Sequence, residues 1–175
     1  MRITISGPPG SGKTTVCDIL SKRLGMEAVV FGNIFRTYAA EHNMTLSELG
    51  TMAETDPSID ETIDSKILEI ARSRDNIILE SRLSAYMLER NGIRAFKVCL
   101  DASPNERVKR IGLRDGESEE EAERNTADRQ DSEAKRYMKY YGIDINDRSV
   151  FDMIVNTDDK TPEQVAGMII RSMRG

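Results

Sequence analysis

The sequence predicts an α/β protein, with five parallel strands in one sheet and helices on both of its faces. Three observations carry this reading. Short apolar runs alternate five times with stretches of helical periodicity. A glycine- and proline-rich turn joins the first strand candidate to the first helix. The chain has 175 residues, 38% apolar and 31% charged, which suits one domain able to bury a core without staples.

Each element follows in order. Residues 2–6 are a short apolar strand, and residues 7–12 form the turn. Val16, Ile19, Leu20 and Leu24 recur at helical spacing over residues 13–24, and Gly25 ends that helix. A second strand, residues 27–31, leads into a helix that Asn33 can cap and that runs through Phe35, Tyr38 and Ala39. Residues 45–74 are polar and helical. Ser47 is placed as the cap of a short helix, and Asp56-Pro57 marks a break. Ile59, Ile63, Ile67 and Ile70 then make an apolar stripe. A buried strand at residues 76–80 ends in Glu80. Helix 83–90, strand 94–100 and helix 104–114 follow. Residues 118–141 are long and charge-dense, and read as a solvent-facing helical arm. Strand 151–155 precedes a last helix with Thr161 as cap and Pro162 at its first position. Val165, Met168, Ile169 and Met173 form its inner face. The core is therefore 1–31, 73–114 and 146–175 of a single domain. It is interrupted by segments 32–72 and 115–145, near the carboxyl ends of strands, where open α/β sheets bind ligands.

Composition excludes several classes. The net charge of −5 argues against a basic nucleic-acid binder. No run of 18 apolar residues predicts a membrane span. The start of the chain is too short and too polar for a secretory signal, so a cytoplasmic protein is expected. Cys17 and Cys99 have no metal-ligand spacing, and the single histidine, His42, gives no partner for zinc. A disulfide is conceivable, but two buried thiols in a reducing cytoplasm are the expected state.

The strongest chemical signal is Gly7-Pro8-Pro9-Gly10-Ser11-Gly12-Lys13-Thr14, which fits the phosphate-binding loop G-x-x-x-x-G-K-[ST] between a strand and a helix. Glycines let backbone N–H groups approach phosphate oxygens, and the helix N-terminus adds a favourable dipole. Lys13 can reach the β- and γ-phosphates, and the Thr14 hydroxyl can join Mg²⁺ coordination. The loop places the chain among P-loop NTPase-like proteins. A small-molecule kinase, a GTPase-like switch and a regulatory P-loop protein all remain open at this point. Asn156-Thr157-Asp158-Asp159 is not the N-K-x-D stretch that reads guanine. A kinase also explains the two insertions, because it must enclose its acceptor and exclude water.

Arg36 and Arg82 follow the second and third strands, beside the same cleft, and together suit an acceptor monophosphate. Glu80 ends an apolar strand, where a carboxylate is costly unless used: it can orient Arg82, hold Mg²⁺ through water, contact the nucleoside, or form a salt bridge at the core edge. Arg110 and Arg114 share a helix face, as do Arg129 and Arg136, with Glu133 between them. A solvated ladder of ion pairs has the same spacing, but does not explain four arginines in the one region able to fold over a triphosphate. Asp56, Asp60 and Asp64 lie on one helical face and could supply a carboxylate to a base, although a solvated face is the plainer expectation. His42 and Tyr137 are unassigned, and Met44, Met52 and Met138 are expected to pack movable segments.

With these residues in view, the sequence resembles the archaeal type of cytidylate kinase, within the P-loop nucleoside monophosphate kinase family. The resemblance runs through residues 1–15, through Gly-Asn-Ile-Phe-Arg at 32–36 and through Glu-Ser-Arg-Leu at 80–83. Arg-Ile-Gly-Leu-Arg at 110–114, Arg-Gln-Asp-Ser-Glu-Ala-Lys-Arg-Tyr at 129–137 and Tyr-Tyr-Gly-Ile-Asp at 140–144 are more specific. It implies a three-layer α/β/α core with an acceptor-binding insertion at 32–72 and a mobile lid at 115–145. It implies ATP and Mg²⁺, with ATP held by residues 7–14, Thr15, Arg110 and Arg114. Arg110 would stack on the donor adenine, and Arg114 would contact phosphate. Arg36, Glu80, Arg82, Arg129, Glu133 and Arg136 would bind the acceptor, and Lys13, Arg36, Arg82, Arg129 and Arg136 would act in phosphoryl transfer. The acceptor would be CMP and also dCMP, with UMP, AMP or a shikimate-like acceptor, or a non-catalytic role, as alternatives. A monomer acting on small nucleotides, without nucleic acid or membrane, is expected. Two positions depart from the pattern: Ser81 stands where many relatives carry Gly, and Gln130 where an Asp is expected.

Overall fold

The five strands pair edge to edge in one parallel sheet, seen in a computed structural model that describes residues 1–174. They are β1 (Arg2–Ser6), β2 (Glu27–Val30), β3 (Ile77–Glu80), β4 (Phe96–Asp101) and β5 (Met153–Asn156), in the spatial order β2-β3-β1-β4-β5. Eight helices connect and cover them: α1 (Lys13–Leu24), α2 (Phe31–Glu41), α3 (Leu46–Ala53), α4 (Pro57–Ser73), α5 (Ser84–Arg90), α6 (Pro104–Asp115), α7 (Glu119–Tyr141) and α8 (Pro162–Arg174). Register puts Ile5 beside Glu80 and Val98, so the carboxyl ends of β1, β3 and β4 open on one edge of the sheet. That edge carries the phosphate loop.

The period of two along the strands divides the core. Ile78, with Ile3 and Ile5 of the neighbouring strand, packs against Val16 and Leu20 of α1 and Val165 and Ile169 of α8. Ile77 and Leu79 face the other way, against Ile63 and Ile67 of α4 and Leu88 of α5. A third, small cluster of Ala39, Leu49, Ala53 and Ile59 holds α2, α3 and α4 to one another. Both cysteines are buried and unpaired.

Three expectations change. Strand β2 stops at Val30 and Phe31 opens α2, so Asn33 caps nothing; its side-chain oxygen instead accepts from Arg36 Nη1 at 3.1 Å. Thr45, not Ser47, caps α3, because Glu48 lies three residues on and its carboxylate reaches back to the Thr45 N–H at 2.7 Å. The third change is the charged arm. Helix α7 is not solvent-facing along its length: Ala122, Thr126, Ser132, Glu133, Arg136 and Tyr137 are buried. Its second half docks on α3, where Ser132 Oγ donates to Gly50 O at 3.3 Å and Tyr140 OH to Ala53 O at 2.5 Å. The inner face of α7 is polar and meets polar partners, so hydrophobic periodicity did not reveal it.

Ile78 is wholly buried on β3, between β2 and the central strand β1. Replacing Ile78 with Ala should cost about 2–5 kcal/mol. Urea unfolding should show this as a lower midpoint at unchanged slope.

Candidate active site

The loop after β1 is built from close approaches. Gly7 has φ 145°, and a Cβ on it would lie 2.0 Å from Leu100 O. Gly10 has φ 79°, and a Cβ there would lie 2.7 Å from Arg107 O. Only glycine fits either position. Gly12 (φ 89°) enters α1 with no side-chain cap, and no acidic residue lies in the first turn. The N-terminus of α1 therefore presents N–H groups and positive dipole without an acceptor of its own. Ser11 Oγ is buried with no hydrogen-bond partner among the described residues.

This loop forms one wall of a cavity of about 700 Å³. Residues 9–15 line it, whereas Gly7 and Pro8 line a second cavity of about 210 Å³ on the other side of the loop. Lys13 Nζ donates to Pro8 O at 2.9 Å. Burial lowers its pKa to about 8, against the opposing pull of Glu80.

Two groups of cations face the loop. On one side Arg110 is pinned to the turn after β5: Nη1 donates to Thr157 Oγ1 at 2.9 Å and Nη2 to Thr157 O at 3.1 Å. Arg114 lines the cavity, but its guanidinium is engaged by the neighbouring Asp115 at 2.6 and 2.7 Å. On the other side, Arg82 Nε donates to Glu133 Oε2 at 2.8 Å and Arg129 Nε to Glu133 Oε1 at 3.3 Å. Burial raises the pKa of Glu133, but Arg82, Arg129 and Arg136 outweigh it and hold the carboxyl below its usual range. One buried carboxylate thus sets two guanidiniums from different elements. Arg36 lines the same cavity from α2. Burial lowers its pKa, and so do the nearby cations Arg114 and Arg129.

Arg136 departs from the expected grouping. It shares the cavity with Arg129 but not the Glu133 carboxylate: Nε donates to Asp60 Oδ2 and Nη1 to Ser132 Oγ, both at 2.7 Å. Its guanidinium lies over the rings of Phe35 and Tyr137. Asp60 and Asp64 are 3% and 6% exposed and line the cavity, so they are not a solvated face. Asp56 is separate and caps α4. The signal for the aspartates was present, since each directly follows a residue of the buried stripe, Ile59 or Ile63. Asp115 and Thr157 were not singled out, because each acts by contact with a residue in a distant or adjoining element. Gln130 accepts from Arg107 Nη1 at 3.0 Å.

For a divalent cation the relevant pair is Thr14 and Glu80. Thr14 Oγ1 donates to Glu80 Oε2 at 3.1 Å. No group of three or more His, Cys, Asp or Glu that could hold a metal occurs among the described residues. Two hard oxygen donors beside a phosphate loop fit Mg²⁺, which takes one or two protein oxygens and completes its shell with phosphate and water.

The sequence model of the cytidylate kinase-like family matches residues 2–159. A cytidylate kinase from Methanoregula boonei is 46% identical over 159 residues, covering 90% of this chain and 86% of that one. One from Natronomonas pharaonis is 45% identical over 169 residues, covering 97% and 87%. One from Halobacterium salinarum is 41% identical over 170 residues, covering 97% and 88%. Among solved structures, shikimate kinase from Bacteroides thetaiotaomicron superposes with a TM-score of 0.63 at 16% identity, over 100% of this chain and 99% of that one. A protein from Eubacterium ventriosum superposes with a TM-score of 0.75 at 15% identity, with the same coverage. These two likenesses concern the fold.

Lys13 supplies a pH dependence. Its ammonium is charged below a pKa of about 8 and is lost as pH rises through that value. A bound triphosphate favours the charged form, so binding takes up a proton above that pH. Calorimetric affinity for a nucleoside triphosphate should weaken by up to about tenfold per pH unit above this point. Lys13→Met should flatten that profile.

Proposed function

The chain belongs to the cytidylate kinase-like family, and on that premise we propose that it transfers the γ-phosphoryl group of ATP to CMP, giving ADP and CDP. We extend the acceptors to dCMP. The observation that carries the reading is Glu133 holding Arg82 and Arg129 across the cavity from the loop of Lys13.

ATP enters with its phosphates in residues 7–14, where backbone N–H groups and Lys13 meet their charge. Thr15 borders the same phosphates, and Arg110, pinned to Thr157, forms the wall on the adenine side. Arg114 reaches phosphate only on leaving Asp115. The acceptor phosphate is held by Arg36, Arg82 and Arg129. One of its oxygens attacks the γ-phosphorus in line as the bond to the bridging oxygen of ADP breaks. The acceptor phosphate is already ionised near neutral pH, so no general base is needed. Rate comes from alignment and from fixed cations that meet charge in the transition state. Glu133 acts as a positioning residue for two of those cations. Thr14 and Glu80 would hold Mg²⁺, which when bound neutralises phosphate charge.

Of the two segments that interrupt the core, we assign 32–72 to acceptor binding and 115–145 to the lid. The hydrogen bonds of Ser132 and Tyr140 to α3 support a moving part confined to the stretch before residue 132. A monomer in the cytoplasm that acts on free nucleotides completes the proposal. The net charge of −5 supports the exclusion of nucleic acid. No described helix is long and apolar enough to cross a membrane.

Coupled ADP release should be fastest with CMP, then dCMP, and slower with UMP, AMP and shikimate. A preference for any of the last three would overturn the assignment. Lys13→Met and Arg82→Ala should each lower kcat by about 100- to 1,000-fold. Glu80→Gln should raise the Mg²⁺ concentration needed for half-maximal turnover, measured by metal titration at saturating nucleotide.

A further inference from the structure

The acceptor end of the cavity holds two buried carboxylates that phosphoryl transfer does not use. Asp60 and Asp64 sit one turn apart on α4, with Cβ atoms about 5–6 Å from each other on the same helix face. Each has one donor from the protein: Arg136 Nε to Asp60 Oδ2 at 2.7 Å, and Tyr141 OH to Asp64 Oδ2 at 2.9 Å. A carboxylate has two oxygens and about four acceptor sites, so each is short of donors. The buried side-chain oxygens and nitrogens without partners among the described residues are on Thr4, Ser11, Glu117 and Thr126. Neither Oδ1 is among them, and both residues line the cavity. Arg136 uses Nε and Nη1 on Asp60 and Ser132, and its third nitrogen has no hydrogen bond among the described residues. Burial and the neighbouring Asp60 push the Asp64 carboxyl up to about 7, as expected of a site lacking donors.

We infer that Asp60 and Asp64 clamp the exocyclic amino group of the acceptor's base, with Arg136 placed to donate to the ring nitrogen beside it. This rests on the reading of the cavity as a pyrimidine nucleotide site. An amino group has two hydrogens, one for each carboxylate. Cytosine carries it next to N3, an acceptor that suits a guanidinium. Uracil presents a carbonyl oxygen and an N–H at the same two places. Its oxygen would face two carboxylates, and its N–H would face a cation, so both contacts turn unfavourable. A phosphate would be repelled here and belongs with Arg36, Arg82 and Arg129. Phe35, Ile63 and Tyr137 line the same cavity and offer a base apolar side chains to pack against. The clamp separates amino from carbonyl bases and leaves pyrimidine against purine to the size of the cavity.

The test measures calorimetric binding and ADP release for CMP, dCMP, UMP and the pyrimidin-2-one ribonucleotide, which keeps N3 and O2 but lacks the amino group. The wild-type protein should bind the amino-less nucleotide about ten- to a hundredfold more weakly than CMP. Asp64→Asn keeps an acceptor for Tyr141 and replaces the other oxygen with a donor. It should weaken CMP about tenfold and nearly abolish the difference between CMP and the amino-less nucleotide. It should also raise the ratio of UMP to CMP turnover. Equal wild-type affinity for CMP and the amino-less nucleotide would overturn the inference. So would a uniform loss for all ligands in Asp64→Asn, which marks a structural role, or a CMP-over-dCMP preference that disappears in that variant, which assigns the carboxylate to the ribose. The wild-type comparison decides the matter even if the variant does not fold. Absence of turnover with every nucleotide would remove the kinase reading, while the binding comparison would still judge the clamp.

Discussion

Glu133 is the contact on which the rest of the site depends. Its carboxylate is buried and lies between guanidiniums from two places far apart in sequence, Arg82 after β3 and Arg129 one turn earlier on α7. A buried carboxylate is stable only while paired, and removing one partner of such a pair typically costs about 3–5 kcal/mol. The same requirement fixes geometry. Two cations that would repel each other over open solvent are held together because a shared anion sits between them. The charge is thus organised before any phosphate arrives, which is what preorganised catalysis needs.

The network continues along α7. One turn after Glu133, Arg136 turns away from the phosphate side to Asp60, and Tyr141 reaches Asp64. Ser132 and Tyr140 bond backbone carbonyls of α3. The second half of α7 is therefore one wall of the cavity, tied to α3 and α4 by polar contacts. Little of this helix is apolar, so its place in the fold comes from satisfying buried polar groups rather than from burying hydrocarbon. Among the described residues its first half makes no hydrogen bond to α3, and Gly116 with its positive φ of 70° precedes it.

The loop end is held by different means. There the fold brings backbone against backbone, Gly7 to Leu100 and Gly10 to Arg107, and leaves the N-terminus of α1 uncapped. Lys13 sits in this wall, and its lowered pKa reflects desolvation. The parallel sheet places this loop, the turn after β3 with Arg82, and the turn after β5 with Thr157 along one edge, since the carboxyl ends of parallel strands point the same way.

Local rules in the sequence determined most of the frame: the five strands, the loop and its helix, the break before α4 and the capping of α8, because periodicity, glycine and cap residues act over a few positions. They also identified the arginines as a group. What they could not assign was pairing between elements. Arg129, Glu133 and Arg136 lie on one face of one helix, and the Arg129–Glu133 pair follows from that spacing, yet only the docking of α7 beside α3 and α6 brings Arg82 to the same carboxylate and sends Arg136 to Asp60. Asp60 and Asp64 look like surface residues until that packing buries them. Charge at a given spacing has the same appearance on a solvated face and in a buried network, and the two differ only in what other elements bring within hydrogen-bonding distance, which tertiary structure alone decides.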